Sequence, residues 1–285
     1  MSLEALHQVL GAFALLLGLV VGSFLNVVIA RMPEDRSVVW PGSACPACGT
    51  PIRPYDNVPV LAWLWLRGRC RSCRSPISPL YPVVELLTGL VAWLVFRRLI
   101  LGPEHYDLAH LAAFLVLFLF CAMLIAQTFI DVRHYIIPNE LSSYAVPVGV
   151  LAAALLQWLG YQGNLVAVGW QQAVVGALTG GLVLGSVMSV YWLIRREEGM
   201  GFGDVKLLAM MGAFLGALPA VPFVLFVASV AGALVGLPLA LVRGQGLRSA
   251  LPFGPFLALA GMIWVLHGPE LLQRWFPGVS MVLGL

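Results

Sequence analysis

Long apolar runs alternate along this chain with short clusters of charge, Gly and Pro. A helix needs about 20 mainly apolar residues to cross roughly 30 Å of hydrocarbon. Runs of that kind predict helices near 8–30, 80–98, 110–130, 140–160, 172–194, 205–219, 222–242 and 250–268. The fourth and fifth share one charge-free stretch from Leu141 to Ile194, which Gly160-Tyr161-Gln162-Gly163-Asn164 and Gln171-Gln172 divide. Pro219 and Pro222 divide the sixth from the seventh, and the sixth is short. The expected fold class is an all-α polytopic membrane protein with about eight transmembrane helices. The first run, Gln8 to Ala30, has no basic segment before it and is followed by Arg31 and Arg36. It reads as a retained membrane helix rather than a cleaved leader.

One long polar interruption stands out, from Arg31 to Pro79, rich in Pro and Gly. It is too small to build a core of its own, so something else must hold it together. The expected organisation is therefore a first transmembrane helix (1–30), a cytoplasmic loop domain (31–79) and a membrane core of about seven helices (80–285).

Composition sharpens the picture. Of 285 residues, 60% are hydrophobic and 10% charged, where a soluble domain carries about a quarter. The mean hydropathy is +0.93. The net charge is only +3, and no basic face is concentrated enough to bind nucleic acid. The basic residues are nevertheless placed asymmetrically. Loops 31–79, 131–139, 195–206 and 243–249 carry all but Arg97, Arg98 and Arg274. The positive-inside rule puts those loops in the cytoplasm and both termini outside, with Arg97 and Arg98 discordant.

Cys45-Pro46-Ala47-Cys48 and Cys70-Arg71-Ser72-Cys73 form two C-x2-C knuckles. Four thiolates so spaced can surround one Zn²⁺ tetrahedrally, and a cytoplasmic loop disfavours disulfides; redox or unpaired cysteines are the alternative. Four protein ligands close the site, so the expected role is structural. Cys121, alone in an apolar helix, reads as an ordinary buried residue.

Two acids stand at helix ends on the same predicted side. Asp131 lies in Phe129-Ile130-Asp131-Val132-Arg133-His134, and Asp204 in Gly199-Met200-Gly201-Phe202-Gly203-Asp204-Val205-Lys206. A carboxylate beside hydrocarbon is costly and points to function. The ordinary readings are a polar stop for Asp131 and an N-cap for Asp204. The functional reading is an acid–base pair: two adjacent carboxyls share one proton, activate a water and polarise a peptide carbonyl. Gly201 and Gly203 would let a substrate backbone approach Asp204. Lys206 could tune Asp204 or face headgroups, and His134 could tune the pair or simply face solvent.

Gly201-Phe202-Gly203-Asp204 is a G-x-G-D element, and it does not stand alone. Gly22-Ser23-Phe24-Leu25-Asn26-Val27, the knuckles, Asp56-Asn57-Val58-Pro59, Ile77-Ser78-Pro79-Leu80-Tyr81-Pro82-Val83-Val84-Glu85, Asp131 with Ile137-Pro138-Asn139, and Phe253-Gly254-Pro255-Phe256 follow in order. The series resembles the bacterial type IV prepilin peptidases, a branch of the G-x-G-D membrane aspartyl proteases. The likeness covers nearly the whole chain and is loosest just after Asp131.

The resemblance implies two activities. One removes the basic leader of type IV prepilins and pseudopilins at the cytoplasmic face of the inner membrane, with Asp131 and Asp204 as the catalytic acids. The other methylates the new N-terminal amine with S-adenosylmethionine, an activity associated with members that carry the four-cysteine loop. No glycine fingerprint of a soluble methyltransferase domain is present. Glu85, entering an apolar helix near Tyr81 and Gly89, is a candidate contributor to the cofactor site, or an inward acid paired with an arginine. The rival readings are an ion- or proton-coupled transporter using the two aspartates, and a zinc-held methyltransferase or scaffold in which they are structural.

Overall fold

The structure is a computed structural model describing residues 3–101, 107–197, 201–243 and 252–278, without the side chains of 3, 4 and 240–243. Glu198, Gly199, Met200 and Arg248, and the side chain of Arg243, lie outside the described residues. Nine α-helices form there: α1 (Leu3–Arg31), a five-residue α2 (Leu61–Trp65), α3 (Leu80–Phe96), α4 (Leu108–His134), α5 (Ala145–Trp158), α6 (Trp170–Arg195), α7 (Phe202–Leu215), α8 (Ala220–Arg243) and α9 (Gly254–Trp275). Among the described residues there is no β-sheet, only two isolated bridges. The all-α class expected from the apolar runs is what forms.

Five described stretches are long and apolar enough to cross a bilayer: Ala5–Glu34, α4, α6, the Ala220–Leu239 part of α8, and α9. Helices α5 and α7 have 14 residues each, short of a full crossing at 1.5 Å per residue, whereas α3, with 17, continues as a π-helix over Arg97–Leu101. Outward-facing leucines such as Leu151, Leu182 and Leu234, each about two-thirds exposed or more, would be anomalous in water and are ordinary against lipid.

The chain divides into two compact units, 1–105 and 106–285. In the first, α1 lies against α3 at very short range. A Cβ on Gly18 would come within 2.6 Å of the Ala92 methyl and 2.7 Å of the Thr88 carbonyl oxygen. Small residues at such a crossing let backbones touch, which is how helices gain van der Waals contact in lipid. The Asn26 amide ties the pair further by donating to the Tyr81 carbonyl at 3.0 Å.

In the second unit α7 is the centre. It packs against α5, α6, α8 and α9, and Leu207, Leu208, Met210, Met211, Ala213 and Phe214 are all buried. A helix apolar on every side belongs in a core rather than on a surface. Its crossing with α6 is again made by glycine: a Cβ at Gly176 would overlap the Gly212 carbonyl oxygen, and one at Gly212 would overlap that of Gly176.

Candidate active site

Asp131 does not begin a loop, as the apolar run had indicated. Helix α4 continues three residues past it to His134 and stops where Tyr135 turns left-handed, φ 56°. Asp131 thus sits in the last turn, 6% exposed. Asp204 likewise is not an N-cap. Gly201 takes the cap position of α7, and Asp204 is the third residue of its first turn, 8% exposed. A carboxylate there faces the amide end of the helix, where the dipole favours negative charge.

The two acids, 73 positions apart in sequence, are near enough for their charges to act on each other. What joins them is the segment after α4 together with the start of α9. The Gly254 N–H donates to the Asp131 carboxylate, and a Cβ on Gly254 would lie 2.5 Å from Asp131 Oδ2. The Ile137 side chain reaches both glycines: its Cδ1 would be 3.1 Å from a Cβ on Gly254, and its Cβ 3.1 Å from one on Gly203. Three chain segments therefore meet around the two carboxyls, with the Ile137 side chain against both glycines. Gly201 is exposed, and a Cβ there would touch only the Gly203 backbone nitrogen at 4.0 Å.

Lys206 is engaged elsewhere. Its Nζ donates to Asn139 Oδ1 at 2.7 Å and stands 4.9 Å over the Phe202 ring, pinning the segment that carries Ile137 to the start of α7. His134 is exposed, and Cys121 is fully buried. The residues that reading the sequence passed over as site components are Gly254, Ile137 and Asn139. Gly254 had a usable signal, a glycine followed by Pro at a helix start, where bare N–H groups favour an anion.

Glu85 belongs to the first unit and is buried. Among the described residues it has no arginine partner: Oε2 accepts the Val60 N–H at 2.7 Å, and the Ser23 hydroxyl bonds the same carboxylate.

The four cysteines come together. Their Sγ atoms all lie within 4.8 Å of one another, and Cys45 and Cys73 are 3.8 Å apart. A tetrahedron with metal–sulfur bonds of about 2.3 Å has an edge of about 3.8 Å, so the donor set fits a single metal ion. The knuckles repeat one construction. The Cys45 N–H bonds the Thr50 carbonyl and the Cys70 N–H that of Ser75. Gly49 and Arg74, at matching places, both turn left-handed.

Hydrogen bonds from Thr50 pull the Cys48 thiol down to about 6, and backbone N–H groups of Cys73 and Ser72 lower Cys70. A backbone N–H at Ser75 favours the Cys73 thiolate, yet burial and the neighbouring thiols push that group up to about 11. Thiols that compete for charge in this way are what a cation would relieve. Between the knuckle cysteines, Arg71 grips Asp56 through Nε and Nη2 at 2.6–3.0 Å. Its guanidinium holds the Asp56 carboxyl below the usual range.

Comparison with known proteins agrees with this division. The bacterial peptidase A24 N-terminal domain matches residues 16–99, and the type IV leader peptidase family matches residues 117–237. The prepilin leader peptidase/N-methyltransferase of Aeromonas hydrophila is 40% identical over 92% of this chain and 91% of its own. The protein of that name from Burkholderia pseudomallei is 40% identical over 90% of this chain and 85% of its own. That from Pseudomonas aeruginosa is 35% identical over 92% and 91%. No solved structure matches the chain.

Proposed function

Because the chain belongs to the type IV leader peptidase family, we propose that Asp131 and Asp204 cleave the leader of type IV prepilins and pseudopilins. The enzyme is a prepilin leader peptidase and N-methyltransferase, and the transporter reading finds no support. The observation that carries the residue roles is the meeting of two buried carboxyls, from helix ends far apart in sequence, at a point lined by Gly203 and Gly254.

The chemistry follows from that arrangement. Asp131, which accepts the Gly254 N–H, is the ionised member, and Asp204 keeps the shared proton. A water between them gives a proton to Asp131 as its oxygen adds to the scissile carbonyl carbon. Asp204 hydrogen-bonds the developing oxyanion and stabilises it. When the tetrahedral adduct collapses, the C–N bond breaks and the proton on Asp131 passes to the leaving amine. The pair ends as it began, with one proton. Gly203 and Gly254 present no side chain, so an extended substrate backbone can come close.

The protein is a multi-pass membrane protein. We place it in the bacterial inner membrane, with the site on the cytoplasmic side and both termini outside, from the distribution of Arg and Lys. A prepilin, with a basic leader ahead of an apolar helix, would then present its scissile bond at the depth of the carboxylates. The four cysteines would hold Zn²⁺ as a structural ion, since four thiolates leave no open coordination position. S-adenosylmethionine, when bound, supplies an electrophilic methyl group to the freed N-terminal amine.

The test is mass spectrometry of the N-terminus of a co-expressed pilin. With the wild-type enzyme the terminus is expected leaderless and carrying one added methyl. With Asp131→Asn or Asp204→Asn the leader is expected to stay, the cleavage rate falling by about 10²-fold or more. Normal cleavage by both variants would overturn the assignment.

A further inference from the structure

The loop of the first unit contains a cleft of about 380 Å³, lined by Tyr55, Asp56, Leu61, Trp65, Leu66 and Arg71 among others. Neither the carboxyl pair nor the cysteine cluster accounts for it. Its volume is that of a small-molecule site, with mainly apolar walls and a few fixed polar groups.

Two features show a cleft held in shape rather than a gap between loops. The first is Val60, a β-branched residue at φ 62° immediately before α2, which carries Leu61 and Trp65. Such a conformation persists only where the surroundings enforce it, and strain of this kind gathers at ligand sites. The enforcing group is the buried Glu85, through its bond to the Val60 N–H. Glu85 thus acts as a positioning residue for the cleft wall, its oxygens being committed to Val60 and Ser23. The second is the Asp56–Arg71 pair, three contacts of 2.6–3.0 Å, with Arg71 also 5.6 Å from the centre of the Tyr55 ring. The polar end of the cleft is therefore rigid. The same cleft is lined by Trp65, 83% exposed, a large aromatic surface with little of the protein against it.

We propose that this cleft is the S-adenosylmethionine site, an inference that rests on the methylation reading above. The chemistry of the walls matches the parts of that molecule. The adenine is a planar π system that stacks on Trp65 between Leu61 and Leu66. The sulfonium is a cation without N–H donors, and an aromatic face attracts it. The carboxylate of the methionyl end finds Arg71, whose side chain is 43% exposed beyond its bond to Asp56. The sequence carries no glycine fingerprint of a soluble methyltransferase domain, and Trp65 offers a stacking surface for the nucleoside.

The experiment is calorimetric titration of the purified full-length enzyme in nanodiscs with S-adenosylhomocysteine, which binds without reacting. Wild type is expected to show one site per chain. Trp65→Ala should weaken binding about tenfold or more, the loss of one base–aromatic stack. Trp65→Phe should keep the affinity, and Leu61→Asp should lower it as Trp65→Ala does. Stoichiometric zinc in each variant shows that the loop is still folded. Unchanged affinity in both Trp65→Ala and Leu61→Asp would overturn the cleft assignment alone. Failure of the wild type to bind would overturn it together with the methylation reading, and an unmethylated pilin terminus would identify the latter as the cause.

Discussion

At the scale of single residues, the site depends on what is absent. Gly254 is the first residue of α9, and its N–H reaches Asp131 because no side chain stands between them. A methyl group there would sit 2.5 Å from Asp131 Oδ2 and 3.1 Å from Ile137 Cδ1. Gly254→Ala should therefore displace the carboxylate rather than merely crowd it. We expect cleavage of a purified prepilin to fall at least tenfold, with a stability loss of about 1–3 kcal/mol. A variant cleaving at the wild-type rate would show that Asp131 does not need this bond. Neither aspartate's final position was legible beforehand. Hydropathy ended one helix before Asp131 and began the next after Asp204, yet both helices extend past those points. Tertiary contacts with α9 and with Ile137 accommodate the acids, and hydropathy carries no trace of such contacts.

At the scale of helices, α7 sets where Asp204 stands, and its packing on α6 is made backbone to backbone. At Gly212 the atom an added Cβ would strike is the Gly176 carbonyl oxygen, which cannot rotate away as a side chain can. Gly212→Ala is expected to destabilise the protein by about 1–3 kcal/mol and to lower its thermal unfolding temperature in detergent. Gly236→Ala, in α8 where nothing lies within 4 Å, serves as the contrast. It should be neutral or slightly stabilising, since alanine is the better helix former. Helix existence followed from apolar run length, and the break between α5 and α6 from the glycine and polar residues at 160–164 and Gln171-Gln172. The shortness of α5 and α7 did not, because a helix surrounded by others is as apolar as one crossing lipid.

At the scale of the whole molecule, two expectations concern the loop and the membrane. The four cysteines are drawn from knuckles with 21 residues between them in sequence, so one ion would close the loop they bound. Cys45→Ser or Cys73→Ser should abolish stoichiometric metal by elemental analysis, and full retention would refute a four-cysteine site. The excess of Arg and Lys in the loops 31–79, 131–139, 195–206 and 243–249 predicts that a reporter at either terminus faces the outer side of the membrane. A reporter active only in the cytoplasm would reverse the orientation.

The order and class of the helices, the paired knuckles and the presence of two costly acids were all determined by the sequence alone. Each rests on local physics: the length of an apolar run, the spacing of thiols on a tight turn, the expense of a carboxylate near hydrocarbon. Only the tertiary structure decided that Gly254 would serve Asp131, that Lys206 would hold Asn139 and that Glu85 would support Val60. Those partners are separated by 123, 67 and 25 positions. No local pattern specifies a meeting at that distance; it follows from which helices pack together, and glycine contacts set how closely.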